Sequence, residues 1–386
     1  MKAIIHGMIH TMTGTEYADG VVLMDNGKII EIGLDIPIPQ GTQIIDAQGR
    51  LVLPGFVDAH SHIGMWEECI GFEGADGNEL TDPVTPQLRA IDGIFALDPP
   101  FQQACQAGVT SVVTGPGSTN VIGGQFLAMK TAGRCVDDMV IKNPVAMKCA
   151  LGENPKKYYS QKGMAPITRM GIAGILRDAL AEARDYMWRK EAAGDDLLKC
   201  PAYNSKYEAL IPVVRGELPI KVHAHRSDDI FTAIRIAKEF GLKMTLDHCT
   251  DGHLIVAELQ NAGYHAIIGP SFGFKTKLEL RNKTFETAAI LCHSGVKVAI
   301  MTDHPVFSES DLPMFAGLAM KAGMTREEAL RAISINAAEI VGIDDRVGSL
   351  EQGKDADIVI WDTDPLELDF RTYCTIINGE IVYQMK

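Results

Sequence analysis

The sequence predicts an α/β protein, a (β/α)8 TIM barrel with a small discontinuous β domain built from both termini. Three observations carry that expectation. Both ends of the chain hold short strand-like runs split by an Asn-Gly pair. The middle alternates short buried runs with amphipathic helical stretches, and several of those buried runs finish on His or Asp. At 386 residues, 46% of them hydrophobic, the chain exceeds the usual single core and suits one large barrel with an appendage.

Taken in order, residues 1–54 begin with Lys2 to His6 and Val21 to Met24. A turn at Asp25-Asn26-Gly27-Lys28 then leads into Ile29 to Ile32. Asn-Gly between apolar runs predicts a tight hairpin, because that turn needs positive φ at both central residues. Residues 346–386 repeat the grammar, with Asp357 to Trp361, Cys374 to Ile377, Asn378-Gly379 and Ile381 to Tyr383. Strands at both ends would leave unpaired edges, so each end is expected to complete the other's sheet.

Residues 55–345 read as the barrel, which takes the alternation of a parallel sheet with crossover helices. Its eight strands are placed at Phe56 to His62, Gly108 to Thr114, Gly124 to Lys130, Ala146 to Leu151, Ile220 to His225, Lys243 to His248, Ala266 to Gly269 and Lys297 to Asp303. The third is poorly marked. The interval from about 154 to 218 is too long for one crossover and contains the helical pattern Gly171 to Arg189, read as an inserted lid or oligomer contact.

Composition narrows the function. A formal charge of −14 excludes a nucleic-acid surface, which needs clustered positive charge. No apolar stretch approaches the roughly 20 residues needed to span a bilayer, so a cytoplasmic protein acting on a small molecule is expected, as a homo-oligomer. The eight cysteines, at 69, 105, 135, 149, 200, 249, 292 and 374, form no Cys-x-x-Cys pair and are read as reduced, buried thiols.

The chemistry gathers where the strands end. His60 and His62 lie two apart on the first barrel strand, so both project to one face and can offer two imidazoles to one ion. His62, His223 or His225, His248 and Asp303 all fall at C-terminal strand ends, where a barrel's active site sits. Imidazoles with a carboxylate suit a divalent ion, zinc above all. Asp303 is the candidate both for a ligand and for the group that takes a proton from the attacking water. Trp66 is placed at the pocket wall. Gly124 and Gln125 are placed in a tight loop over the mouth, since glycine permits close backbone approach.

These residues resemble the amidohydrolase superfamily over essentially the whole chain. The carriers are Pro54-Gly55 through His60-Ser61-His62, Val222-His223-Ala224-His225, Leu246-Asp247-His248 and Met301-Thr302-Asp303. The tail from Ala332 through Asn336, with Val347 to Lys354, is the most specific part. The branch most alike is that of imidazolonepropionases and prolidase-like members. The resemblance implies hydrolysis of an amide or cyclic amide C–N bond by metal-activated hydroxide, with Asp303 as proton shuttle. It selects His223 over His225 as ligand, leaving His225 to face substrate or to orient a ligand, and it adds His248. It also implies one or two ions, two if Lys148 is carbamylated to bridge them, with Glu153 as the rival carboxylate. Asp247 is expected to face the helices, and His304 gets no role.

Two other readings stay open. A mononuclear deaminase on the same barrel looks for a Glu three residues after a strand-end His, and here only Asp251 could substitute. A catalytically inactive binding protein would need none of these ligands.

Overall fold

The computed structural model describes residues 1–68 and 71–386. Cys69 lies outside the described residues, and the seven other cysteines are free thiols.

The first five strands, β1 (Lys2–His10), β2 (Glu16–Asp25), β3 (Lys28–Gly33), β4 (Gln43–Asp46) and β5 (Leu51–Pro54), form one sheet with the last three. The last three are β14 (Ile358–Trp361), β15 (Thr372–Ile377) and β16 (Glu380–Gln384). The seam is antiparallel, β5 against β14, with Leu53 opposite Val359. Both Asn-Gly turns take the left-handed conformation that their sequence demands, at φ +48° and +77° for Asn26 and Gly27 and +50° and +74° for Asn378 and Gly379. The two turns meet: Ala356 N–H donates to Gly27 O at 2.8 Å and Gly379 N–H donates to Ala356 O at 2.9 Å. Ile4, Val22, Ile358 and Ile376 fill the small core beneath them.

The second sheet is a nearly closed barrel of eight strands in sequence order. They are β6 (Phe56–Ser61), β7 (Val109–Thr114), β8 (Ile122–Lys130), β9 (Val140–Ala150), β10 (Ile220–Ala224), β11 (Met244–His248), β12 (His265–Ile268) and β13 (Val298–Ile300). All eight expected strands exist, but β8 runs antiparallel to both β7 and β9. The expectation of eight parallel strands is corrected there. The connections at 115–121 and 131–139 are too short for a parallel crossover of a dozen or more residues. The chain therefore turns back on itself twice. At the seam between β13 and β6, His62 N–H donates to His304 O at 2.9 Å.

Helices α1 (Pro99–Gln106) and the single turn α2 (Val136–Met139) precede the expected helical insertion between β9 and β10. That stretch holds α3 (Glu153–Gln161), α4 (Arg169–Ala193) and α5 (Ser205–Val214). Thr168 caps α4, its hydroxyl accepting from Gly171 N–H at 2.9 Å. The helix buries Ile172, Leu176 and Leu180, the face that the apolar spacing marks out. Helices α6 (Ser227–Phe240), α7 (Val256–Ala262), α8 (Glu286–His293), α9 (Leu312–Lys321), α10 (Arg326–Ala332) and α11 (Ile335–Val341) complete the wall.

The two sheets are tied by a buried charge cluster. Lys130, at the end of β8, lies 2.6 Å from Asp357 and 2.9 Å from Asp355. Asp355 also takes Lys28 at 2.7 Å and Arg346 at 2.8 Å.

Candidate metal centre at the barrel mouth

His60, on β6, and His62, one residue past its end, are both buried, with ring centroids 5.1 Å apart. Asp303 Oδ1 lies 3.2 Å from His62 Nε2 and 3.5 Å from His60 Nε2. Across the mouth His223, His225 and His248 form a second cluster. In each trio the potential ligand atoms lie within 4.8 Å of one another.

In four of the five histidines the ring nitrogen turned away from the cavity stands beside an oxygen, while His223 Nδ1 is buried with no hydrogen-bond partner among the described residues. His62 Nδ1 donates to Gly115 O at 2.7 Å, and His248 Nδ1 donates to Gly269 O at 2.8 Å. His60 Nδ1 stands 2.8 Å from Asp247 Oδ2, and His225 Nδ1 stands 2.8 Å from Thr250 Oγ1. Such outer contacts fix the tautomer and turn the Nε2 lone pair toward the cavity. His248 Nε2 is buried without a hydrogen-bond partner among the described residues.

Electrostatics agree with that geometry. Burial, then the neighbouring cations and imidazoles, pulls His223, His225 and His248 well below the usual histidine range. Burial alone would raise the Asp303 carboxyl, but His248, His60 and His62 outweigh it and hold it ionised, well below the usual carboxylate range. A divalent ion requires neutral imidazoles and an ionised carboxylate, and His223, His225, His248 and Asp303 are pulled in those directions. Lys148 Nζ, on β9, lies 3.2 Å from His60 Nε2. It is wholly buried and has no carboxylate within 4.0 Å among the described residues, and burial pulls its ammonium down to about 8.

The Amidohydrolase family profile matches residues 184–382, just over half of the chain. The chain belongs to the amidohydrolase family. Amidohydrolase tasK of Hapsidospora irregularis is 30% identical over 376 residues, which cover 90% of this chain and 38% of that protein, so the chain spans well under half of that relative's length. The imidazolonepropionase of Sphingopyxis alaskensis is 26% identical over 388 residues, covering 94% of this chain and 92% of that one. Among solved structures, an amidohydrolase from Thermotoga maritima MSB8 superposes with a TM-score of 0.96 at 40% identity over 100% of both chains.

The structure departs from the sequence expectations at several positions. Asp247 does not face the helices. Strand alternation breaks just after it, where His248 and Cys249 take φ of +71° and +46°, and both Asp247 and His248 turn inward. Asp247 then meets His60 and Lys221 and accepts from Thr245 Oγ1 at 2.9 Å. Lys221 crosses the interior to donate to Ala59 O at 2.9 Å. His225, set aside in favour of His223, stands with it in the same trio.

Glu153 does not bring its carboxylate to the mouth. Its side chain lines a separate groove with Lys156, Lys157 and Arg169, and only its backbone N–H reaches inward, to Glu279 Oε2 at 2.9 Å. Gly124 and Gln125 lie inside β8 rather than in a loop over the cavity. A Cβ on Gly124 would sit 2.6 Å from Leu88 O, so that glycine admits a neighbouring backbone. Trp66 does line the cavity, its ring 5.4 Å from that of His62.

Sequence reasoning missed Glu279. Its buried carboxylate lies 3.0 Å from Lys277, 3.7 Å from His225 Nε2 and 4.0 Å from His223 Nε2. It sits in the loop after β12, where no strand pattern flags a functional side chain. The cavity above all these groups holds about 660 Å³, within the range of small-molecule sites.

Proposed function

We propose that the protein hydrolyses an amide or cyclic amide C–N bond with one or two divalent ions, zinc by the nature of the donors. The observation that carries this reading is the pair of buried trios with their lone pairs converging on one cavity. His60, His62 and Asp303 would hold one ion and His223, His225 and His248 a second. Lys148 would bridge them if its amine adds carbon dioxide and releases a proton to become an anionic carbamate. When bound, such an ion supplies Lewis acidity that activates water near neutral pH and polarises a carbonyl.

The chain's own residues do the rest. The Asp303 carboxylate, already ionised, takes the proton of the attacking water and returns it to the leaving nitrogen. Asp247 holds the His60 ring, and Gly115 O holds that of His62. Trp66, wedged where a Cβ on Gly77 would overlap its ring, walls the cavity against bulk water.

Deamination is less well supported. Asp251, the substitute proton donor, already accepts from Ser227 N–H at 3.0 Å and Asn282 Nδ2 at 2.9 Å. Glu279 is held ionised, since His225 and Lys277 outweigh the effect of burial.

Two measurements test the proposal: metal content of the purified chain, and acid or ammonia release from N-acyl amino acids, dipeptides, hydantoins and cyclic imides. A protein that binds no divalent ion and releases neither product contradicts it. One ion per chain, with Lys148→Ala fully active, removes the bridging lysine.

A further inference from the structure

The groove that takes the Glu153 side chain is a cavity in its own right. It holds about 370 Å³, and no residue in its wall also lines the cavity of the metal centre. The two spaces are neighbours, since Glu279 belongs to the wall of the groove and lies 3.7 Å from His225 Nε2 at the mouth.

The groove reverses the charge of the chain around it. In a protein of formal charge −14 its wall carries Lys156, Lys157, Arg169 and Arg226 against Glu153 and Glu279. The nearby carboxylates engage only part of that positive charge. Asp229 takes Arg169 through Nε at 3.0 Å, which leaves both Nη groups without a hydrogen bond among the described residues. Asp228 takes Arg226 through Nε and Nη2, at 2.9 and 3.1 Å, and leaves Nη1. Glu279 is already held by Lys277 at 3.0 Å and by the Glu153 N–H at 2.9 Å.

The two lysines stand apart from any acid. Glu153 precedes Lys156 and Lys157 by three and four residues on α3, the spacing at which a helical ion pair forms. Yet neither ammonium has a carboxylate within 4.0 Å among the described residues, although Lys156 is half-buried. Two ammoniums and three guanidinium Nη groups are thus left around one space.

The shape and polarity of the groove narrow what fits it. Leu278 is the only apolar side chain in its wall among the described residues, so little apolar surface awaits a ligand. Guanidinium and ammonium donors gathered at one place suit a phosphate group, whose oxygens accept several charge-assisted hydrogen bonds at once. The volume leaves room beside a phosphate for a short polar tail.

We propose that this groove is a second ligand site, for a phosphate dianion, free or as the ester of a small polar metabolite. Lys156, Lys157 and the remaining Nη groups of Arg169 and Arg226 hold it. No candidate metal ligand lines the groove, so its occupant is a ligand other than the compound hydrolysed at the mouth.

Orthophosphate and glycerol phosphate, titrated calorimetrically into the full chain, test the site. Each titration is run on the zinc-loaded protein and again after the metal is chelated. One anion per chain is expected to bind, with the same affinity in both states, because a phosphate bound at the mouth would depend on the metal. Tighter binding of glycerol phosphate assigns the ester as the source, and equal or weaker binding assigns the free ion. Lys156→Gln combined with Lys157→Gln should weaken binding about tenfold or more, the order for hydrogen bonds to charged groups. Glu153→Gln should tighten it severalfold, since it removes from the wall a carboxylate that repels the anion. A loosened α3 could not produce that gain. Failure of both probes to bind, binding that disappears with the metal, or an affinity unchanged in the lysine and glutamate variants overturns the proposal.

Discussion

Lys130 and Lys148 sit on neighbouring antiparallel strands, β8 and β9, and both are buried. They are solved in opposite ways. Lys130 lies between Asp355 and Asp357, at 2.9 and 2.6 Å, and ties the barrel to the small sheet. Lys148 has no carboxylate within 4.0 Å among the described residues and instead touches an imidazole of the candidate metal centre. A buried ammonium without an anion is costly. The protein meets this cost at the junction and leaves it standing at the mouth, which is the state that the proposed carbamylation of Lys148 would draw on.

Breaking the mouth side should have the largest effect. Asp303→Asn is expected to lower kcat by about a thousandfold or more, as loss of a proton-transfer group does, with an unchanged circular dichroism spectrum. Activity near wild type would remove Asp303 from the mechanism. Next comes the pair of lysines themselves. Lys130→Met should destabilise the fold by about 3–5 kcal/mol, because it takes from the buried Asp357 its ion-pair partner and from Asp355 one of three cations, while activity per folded molecule persists. Lys148→Met should leave stability within about 1 kcal/mol of wild type, since an apolar side chain replaces an unpaired cation, yet abolish turnover. Urea unfolding of both variants, with activity assayed alongside, checks the contrast. Equal destabilisation would erase it.

A smaller effect follows from pH. Burial alone would raise Asp355, but Lys130, with Lys28 and Arg346, outweighs it and holds the carboxyl at about 2. A carboxyl depressed in the folded state contributes stability that is present above its unfolded pKa, near 4, and lost as pH falls through its folded pKa. The stability gap between wild type and Asp355→Asn should therefore be full above about pH 4 and shrink toward pH 2. A gap that widens on acidification would contradict the pairing. The smallest expected change is Gly27→Ala. The left-handed φ at that turn and the carbonyl of Asn378, 3.1 Å from a new Cβ, should cost about 1 kcal/mol or somewhat more in thermal unfolding.

Much of this could be read from residue order. The Asn-Gly hairpins were legible because only certain residues accept that turn, and His60 with His62 because strand period fixes which side chains share a face. The direction of β8 was not legible, for a strand buried along most of its length shows the same apolar run whichever way it points. Asp247 was misplaced because alternation holds only while φ stays extended, and the left-handed His248 that breaks it leaves no compositional mark. Glu279 was missed for a related reason. It belongs to a loop whose path over the mouth is set by the strands on either side of it.

The β5–β14 seam also has a consequence for biosynthesis. As a ribosome delivers the chain, β1 to β5 emerge first, and β5 waits with an open edge while the whole barrel is made, since its partner begins only at Ile358. Lys130 likewise enters the barrel wall before either of its aspartates exists. A product that stops between Trp361 and Thr372 would keep the complete mouth and β14 yet lack β15 and β16. Strands β14 to β16 thus act as a late check on synthesis, since only a chain made as far as β16 can complete the sheet that β1 to β5 opened.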